Sequence, residues 1–252
     1  MEISLRGQVV LVTGGSRGIG AGIVKQLLAS GAHVALHFNS KEEQAREVAK
    51  GHEDQAILVQ ADLSDPSAIK YLFEQVIEKF GQLDCVVNNA GIAISSDPEG
   101  EDQAWLGDWD ITMAVNLTAA AYLCKLAVSQ FKKGEGGRII NVASRAAIRG
   151  DTSDYLAYAA SKGGMVALTR SIARAYGKSN IKAFNITPGF VRTDMAREIL
   201  DQYGDGFALD DIALPELTEP KDLAPMITLL ASGLADHATG CTIDINAGSY
   251  VH

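Results

Sequence analysis

A chain of 252 residues with 47% hydrophobic residues can bury a large core and fits one α/β domain. A net charge of −9 and a pI near 5.0 argue against nucleic acid or an anionic membrane as partners. Cys85, Cys124 and Cys241 follow no metal or CxxC spacing and lie in apolar runs, which predicts buried thiols of a reducing compartment. The histidines show no ligand spacing either, so no metal is expected.

Met1 to Gly7 contain no apolar stretch of signal-peptide type, and no later run is read as membrane-spanning. A cytoplasmic location is the expectation. Short β-rich apolar runs are predicted at about 8–13, 33–38, 56–61, 83–88, 138–143, 181–187 and 241–245, alternating with helical patterns. The alternation predicts seven parallel strands joined by right-handed helical crossovers, with helices on both sheet faces. Ligands of such sheets bind at the carboxyl edge, near the switch in strand order.

The first strand, Val9-Val10-Leu11-Val12, runs into Thr13-Gly14-Gly15-Ser16-Arg17-Gly18-Ile19-Gly20. Ile19, Ile23, Leu27 and Leu28 then recur at helical spacing. Strand, glycine turn and helix make a dinucleotide cradle, because the glycines admit a pyrophosphate and the helix N-terminus supplies N–H donors. The spacing Gly14-x-x-x-Gly18-x-Gly20 differs from the common G-x-G-x-x-G.

The second strand ends in His37-Phe38-Asn39-Ser40, with Phe38 where an NAD-selective chain would place an acid for the ribose 2′-hydroxyl. No carboxylate would repel a 2′-phosphate there, and Arg17 could pair with one. His37, Asn39 and Ser40 offer further donors. NADP(H) is therefore expected, with NAD(H) the alternative.

Tyr158 and Lys162 lie four positions apart, on one face of a predicted helix at about 154–177. An ammonium beside the ring is expected to lower a phenol pKa from ~10, so that the tyrosine can exchange a proton with an alcohol or carbonyl oxygen. Tyr155 lies seven residues before Lys162, too far for the ammonium to act on directly.

Cradle and Tyr/Lys pair together resemble the short-chain dehydrogenase/reductase family, with further marks in the family's order over residues 5 to 250. Asp62 ends the third strand and Asn88-Asn89-Ala90-Gly91 the fourth; Asn116 interrupts a long helix, Ser144 ends the fifth strand, and Pro188-Gly189 and Thr193 follow the sixth. The chain is most similar to the 3-oxoacyl-(acyl-carrier-protein) reductase branch. The resemblance implies a Rossmann-type doubly wound α/β fold, with residues 1–252 as one dinucleotide-binding and catalytic domain and a substrate loop at about 190–218.

For the catalytic set, the resemblance implies Tyr158 as proton donor and Ser144 as the hydroxyl holding the substrate oxygen. Lys162 would tune the tyrosine and hold the ribose hydroxyls. Asn116 would kink its helix and fix a water linking Lys162 to solvent. For the cofactor it implies that Asp62 meets the adenine amine and that the Asn89-Ala90-Gly91 loop lies on the adenosine side. Pro188-Gly189 would frame the nicotinamide, and Thr193 would touch its carboxamide or a phosphate. Ser16, Ile19, Leu63 and Val191 complete the expected cofactor-binding set.

Several positions depart from the branch near the substrate: the longer, more acidic loop from Ile92 to Trp109, through Ser95 to Asp102, the fourteen positions from Ser144 to Tyr158, Glu216 in place of a frequent arginine, and Phe184 in place of a frequent asparagine. Three functions stay open at this point. They are an NADPH-dependent carbonyl reductase, an NAD-dependent dehydrogenase of a sugar or secondary alcohol, and a catalytically silent nucleotide-binding scaffold. The helices expected at about 103–131 and 154–177 carry apolar residues on more than one face. By resemblance, these helices and the tail Ile243 to Val251 would build a homotetramer.

Overall fold

The computed structural model describes residues 3–194, 196, 204 and 206–251, so the expected substrate loop lies partly outside the described residues. Seven strands form one parallel sheet in the order β3-β2-β1-β4-β5-β6-β7. They are β1 (Val9–Val12), β2 (His33–Phe38), β3 (Ala56–Gln60), β4 (Cys85–Asn88), β5 (Gly137–Val142), β6 (Ile181–Pro188) and β7 (Thr242–Ile245). Strand order reverses between β1 and β4, which opens a crevice at their carboxyl ends.

Helices α1 (Gly18–Ala29), α2 (Glu42–Ala49) and α3 (Pro66–Phe80) make the first crossovers. Next come α4 (Asp102–Met113), a π segment (Ala114–Thr118) and α5 (Ala119–Phe131), then the short α6 (Ala146–Arg149), α7 (Leu156–Tyr176) and α8 (Pro220–Ser232).

Alternate side chains of each strand feed opposite cores, as the pleat requires. Val10 and Val12 pack with Ile23 and Leu27 of α1 and Leu223 and Ile227 of α8. Val9 and Leu11 pack with Leu72 and Val76 of α3, Leu123 of α5 and Ile172 of α7. Both sheet faces are therefore dry, which is why the strands read as unbroken apolar runs rather than alternating ones. Burial of one such Leu or Val side chain contributes roughly 1.5–3 kcal/mol.

Helix ends follow local chemistry. In α3 the Asp65 side chain accepts from the Ser67 N–H at 2.8 Å, Pro66 opens the first turn, and Gly81 closes the helix at φ 72°. Helix α8 starts with a reciprocal capping box between Glu219 and Asp222. At α1, by contrast, no side chain caps the first turn and no acid lies in it.

One expectation is corrected. The continuous helical run Asp102–Phe131, 30 residues long, is long and apolar enough to cross a membrane by length and composition. Its apolarity has another use here: Leu123, Cys124, Ala127 and Phe131 pack into the core beneath the sheet, and Asn116 at its centre is fully buried and hydrogen-bonded. The predicted helix at about 154–177 begins instead with a 3-10 turn at Ser153–Tyr155, and its regular part is α7.

Candidate active site

The glycine turn follows β1 and doubles back tightly. A Cβ on Gly20 would stand 2.0 Å from the Gly14 carbonyl oxygen, so only glycine closes the turn. Gly14 and Gly18 adopt φ values of 66° and 53°. Nδ2 of Asn89 donates to the Thr13 and Gly14 carbonyls at 2.9 and 3.1 Å, and the backbone N–H groups of Asn89 and Ala90 donate to Oγ1 of Thr13 at 3.0 Å. The end of β4 is thereby laced to the turn. Ser16 is buried, Ile19 is partly buried on the α1 core, and Thr193 Cγ2 approaches within 3.3 Å of where a Gly18 Cβ would stand.

The residues present fit a dinucleotide: a turn that only glycine can close, opening onto a helix N-terminus that no side chain caps, leaves N–H donors for a phosphate. Arg17 is exposed and stands 3.5 Å from Asp194.

Two expectations about the second strand are corrected. His37 is not a free donor. It is buried, its Nδ1 accepts from the Gly14 N–H at 3.0 Å, and its Nε2 bonds the Ala61 carbonyl at 3.0 Å. Phe38, read as the place for a selective acid, points into the α1 core at 4% exposure. The exposed residues past the strand end are Asn39 and Ser40. Asp62 is exposed, and its Oδ1 accepts from the N–H and hydroxyl of Ser64, both at 2.8 Å, which holds its carboxyl below the usual range. Leu63 is buried beside it.

The catalytic candidates converge from four elements. Tyr158 and Lys162 lie one turn apart on α7, and Ser144, just past β5, is close enough to the Tyr158 hydroxyl to lower its pKa; Ser144 Oγ itself accepts from the Ala146 N–H at 3.1 Å. Lys162 is 3% exposed, and its Nζ donates to the Val142 carbonyl at 2.9 Å. A Cβ on Gly91 would lie 3.3 Å from both Lys162 Nζ and Asn116 Oδ1, so the β4 loop, the π segment and α7 meet at one point. Asn116 clasps Ile92 from both sides, accepting from its N–H and donating to its carbonyl, each at 2.8 Å. Its Nδ2 also reaches Ser161 Oγ at 3.1 Å, and that hydroxyl donates to the Tyr158 carbonyl at 2.7 Å. The loop from Asn89 to Ile92 thus ties the glycine cradle to the Tyr/Lys helix.

The expected depression of the Tyr158 pKa is not found. Burial raises it, the Ser144 hydrogen bond partly offsets the rise, and the Asp151 carboxylate adds to it. Lys162 is itself stripped of water, which lowers its pKa to about 8. Its Nζ lies 5.7 Å from the Tyr158 ring centroid, bonded to a carbonyl rather than to the phenol. Desolvation is the largest influence on both groups.

Pro188 ends β6 and its carbonyl accepts from the Arg145 N–H at 2.9 Å; Gly189 donates to the Ile245 carbonyl at 3.1 Å. Val191 is buried and pairs with Thr218, while Thr193 Oγ1 donates to the Val191 carbonyl at 3.3 Å. The sequence reading missed Thr13, Ser161 and the Val142 carbonyl. It also missed the ion pairs of Arg145 and Arg149 with Asp211, which link the turn after Ser144 to the far side of the expected substrate loop. A Ser immediately before Lys162 was the one available signal for Ser161.

A doubly wound sheet with a glycine turn at its switch point, and a Tyr/Lys helix beside it, defines a dinucleotide-dependent oxidoreductase class. The comparisons place it more narrowly. A short chain dehydrogenase family model matches residues 8–204. The 3-oxoacyl-(acyl-carrier-protein) reductase of Chlamydia pneumoniae is 34% identical over 98% of this chain and 99% of its own. Cyclohexanol dehydrogenase of a Rhodococcus species is 31% identical over 98% and 97%. Among solved structures, a short chain dehydrogenase from Burkholderia cenocepacia in complex with NADP superposes with a TM-score of 0.89 at 34% identity, covering 97% of this chain and 98% of that one. A blue fluorescent protein from a metagenomic library, in complex with NADPH, gives a TM-score of 0.89 at 34% identity over 98% and 100%. The chain belongs to the short-chain dehydrogenase/reductase family, on the side of its 3-oxoacyl-(acyl-carrier-protein) reductase-like members. As a member it is an NAD(P)-dependent oxidoreductase acting on a CH–OH/C=O pair.

Proposed function

We propose that the protein is an NADPH-dependent carbonyl reductase whose proton donor is Tyr158. The observation that carries this reading is the convergence of Tyr158 with Lys162, buried one turn away, and with Ser144, close enough to lower the phenol's pKa. The glycine turn and the α1 N-terminus would hold the pyrophosphate. Arg17, Asn39 and Ser40 would face the 2′-phosphate, where the described residues include no carboxylate at the β2 end. NADP- and NADPH-bound relatives support the same choice. When bound, the nicotinamide supplies the hydride.

The chain's own groups do the rest. The Ser144 and Tyr158 hydroxyls would hold the carbonyl oxygen between them. Tyr158 stays protonated at neutral pH because burial raises its pKa, so it can release its proton to an alkoxide as that charge develops. Lys162 keeps a positive charge near that proton, and Asn116 fixes the backbone around it. Pro188, Gly189, Val191 and Thr193 would close the nicotinamide side, with Asp62 and Leu63 at the adenine side.

A homotetramer and a cytoplasmic location are part of the proposal. Exposed Leu106 and Ile111 on α4 and Leu156 on α7 support assembly through these helices. Initial rates with NADPH and NADH over a panel of neutral ketones and 3-oxoacyl thioesters test the reading. Turnover that needs NADPH upholds it, whereas NADH-selective oxidation of a secondary alcohol would favour a dehydrogenase.

A further inference from the structure

Three asparagines stand side by side in the sheet interior. Asn88 on β4 is in register with Asn141 on β5, and Asn141 with Asn185 on β6. None is more than 2% exposed. Polar groups so deep cost free energy unless bonded. Asn88 Nδ2 donates to Asn141 Oδ1 at 2.8 Å, and Asn141 Nδ2 donates to Thr169 Oγ1 at 2.7 Å. Thr169, fully buried on α7, shares its one hydroxyl proton between Asn185 Oδ1 and the Met165 carbonyl, each at 2.9 Å. The ladder therefore joins three strands to the helix that carries Tyr158 and Lys162.

Its placement bears on the chemistry. Thr169 lies seven residues beyond Lys162, so both face the sheet. Asn141 directly precedes Val142, whose carbonyl holds Lys162 Nζ. The apolar contacts beside Lys162 form a small satellite cluster, Ala120, Ala143, Met165 and Val166 with Leu117 and Ala147 packed on it, and the helix itself carries Gly163 and Gly164. Apolar contacts are non-directional, whereas hydrogen bonds fix position and angle. The ladder also leaves Asn88 Oδ1 and Asn185 Nδ2 without a protein partner. Apolar side chains of similar volume would serve stability alone better.

We propose that Thr169, through Asn141 and Asn185, is a positioning residue that sets the height and rotation of α7 on the sheet, so that Lys162 and Tyr158 meet the reacting oxygen. This rests on the assignment of Tyr158 and Lys162 proposed above. A helix rises 1.5 Å per residue, and a misplacement of about 1 Å can lower a rate about a hundredfold.

The test compares Thr169→Val, of equal shape without the hydroxyl, with Thr169→Ser, which keeps it. Melting temperature, kcat, KM for the ketone and the pH–rate profile are measured for each. The valine variant is expected to lose about tenfold or more in kcat at little-changed KM, with a displaced basic limb, while serine restores both. A valine variant that melts lower yet keeps its kcat and pH profile overturns the proposal. Should Thr169→Val fail to fold, Asn185→Val removes one rung from the strand side; a fall in its kcat supports the role and an unchanged kcat refutes it. Failure of the underlying assignment would show separately, as full activity in Tyr158→Phe.

Discussion

The Gly14 N–H donates to Nδ1 of His37 at 3.0 Å while Nε2 of the same ring bonds the Ala61 carbonyl at 3.0 Å. One neutral imidazole, protonated on Nε2, thus joins the phosphate turn to the end of β3. Burial lowers its pKa, against smaller opposing effects of the Ala61 hydrogen bond and the Asp62 charge. As pH falls below ~6.5 the unfolded chain takes up a proton that the folded ring refuses, so this residue withdraws stability as the solution is acidified. Melting curves from pH 8 to pH 5 should therefore fall more steeply for the wild type than for His37→Gln. At pH 8 the variant should be less stable by roughly 1–3 kcal/mol, through the lost bonds. Parallel curves would show that the folded ring takes up a proton as readily as the unfolded one.

Tyr158→Phe removes the hydroxyl beside Ser144 and leaves the ring in place. Reduction should drop by about 10²–10⁴, with NADPH affinity held within a few-fold. Tyr155→Phe should remain near wild type, because Tyr155 sits in the 3-10 turn before α7. Reversed results in the two variants would reassign the acid.

Lys162 loses its proton near pH 8 through burial. Tyr158, raised by burial, stays protonated beyond that point. Reduction should accordingly be flat at neutral pH and decline above about 8, as the positive charge near the phenol is lost. In Lys162→Ala the surviving rate should lack that limb. A wild-type rate that climbs through the same range would exclude a charged Lys162 as a contributor.

Arg17→Ala should weaken NADPH about ten- to a hundredfold more than NADH, the scale of a charge-assisted hydrogen bond at 1.5–3 kcal/mol. Its only ion-pair partner among the described residues is Asp194, at 3.5 Å and exposed, so a phosphate meets weak competition. The complementary change belongs at Asn39 rather than at core-facing Phe38. Asn39→Asp should move preference toward NADH without loss of stability, and calorimetric titration of both cofactors checks each variant.

Light scattering coupled to size exclusion should report a tetramer at micromolar protein. A dimer would leave the helix contact through Leu106, Ile111 and Leu156 standing and remove the tail contact. A monomer would show that these exposed side chains meet no second copy.

The strands and the phosphate turn were legible because their signals are local: unbroken apolar runs mark strands dry on both faces, and glycine spacing marks a turn with no room for a Cβ. The Tyr158/Lys162 pair was legible for the same reason, since helical spacing alone aligns them. What escaped depends on depth and register. Lys162 is held by the carbonyl of Val142, and a carbonyl carries no residue code. The direction of the Tyr158 pKa turned on burial, which outweighs the opposing effect of Ser144. His37 reads as a donor in the sequence and becomes a brace only because Phe38, next to it, faces the opposite core.

The π segment at Ala114–Thr118 holds one residue more per turn than the helices on either side. Everything after Thr118 is therefore rotated by about 100° relative to an unbroken α-helix through the same start. Leu123 and Cys124 face the sheet, and Lys125 faces water, only in that shifted phase. Regular α winding through the same residues, with none removed, would turn Lys125 toward the core and draw Leu123 out of it. A single-codon deletion inside the segment instead leaves the phase of α5 on the sheet intact, whereas the same deletion within α5 turns every later side chain of that helix by about 100°.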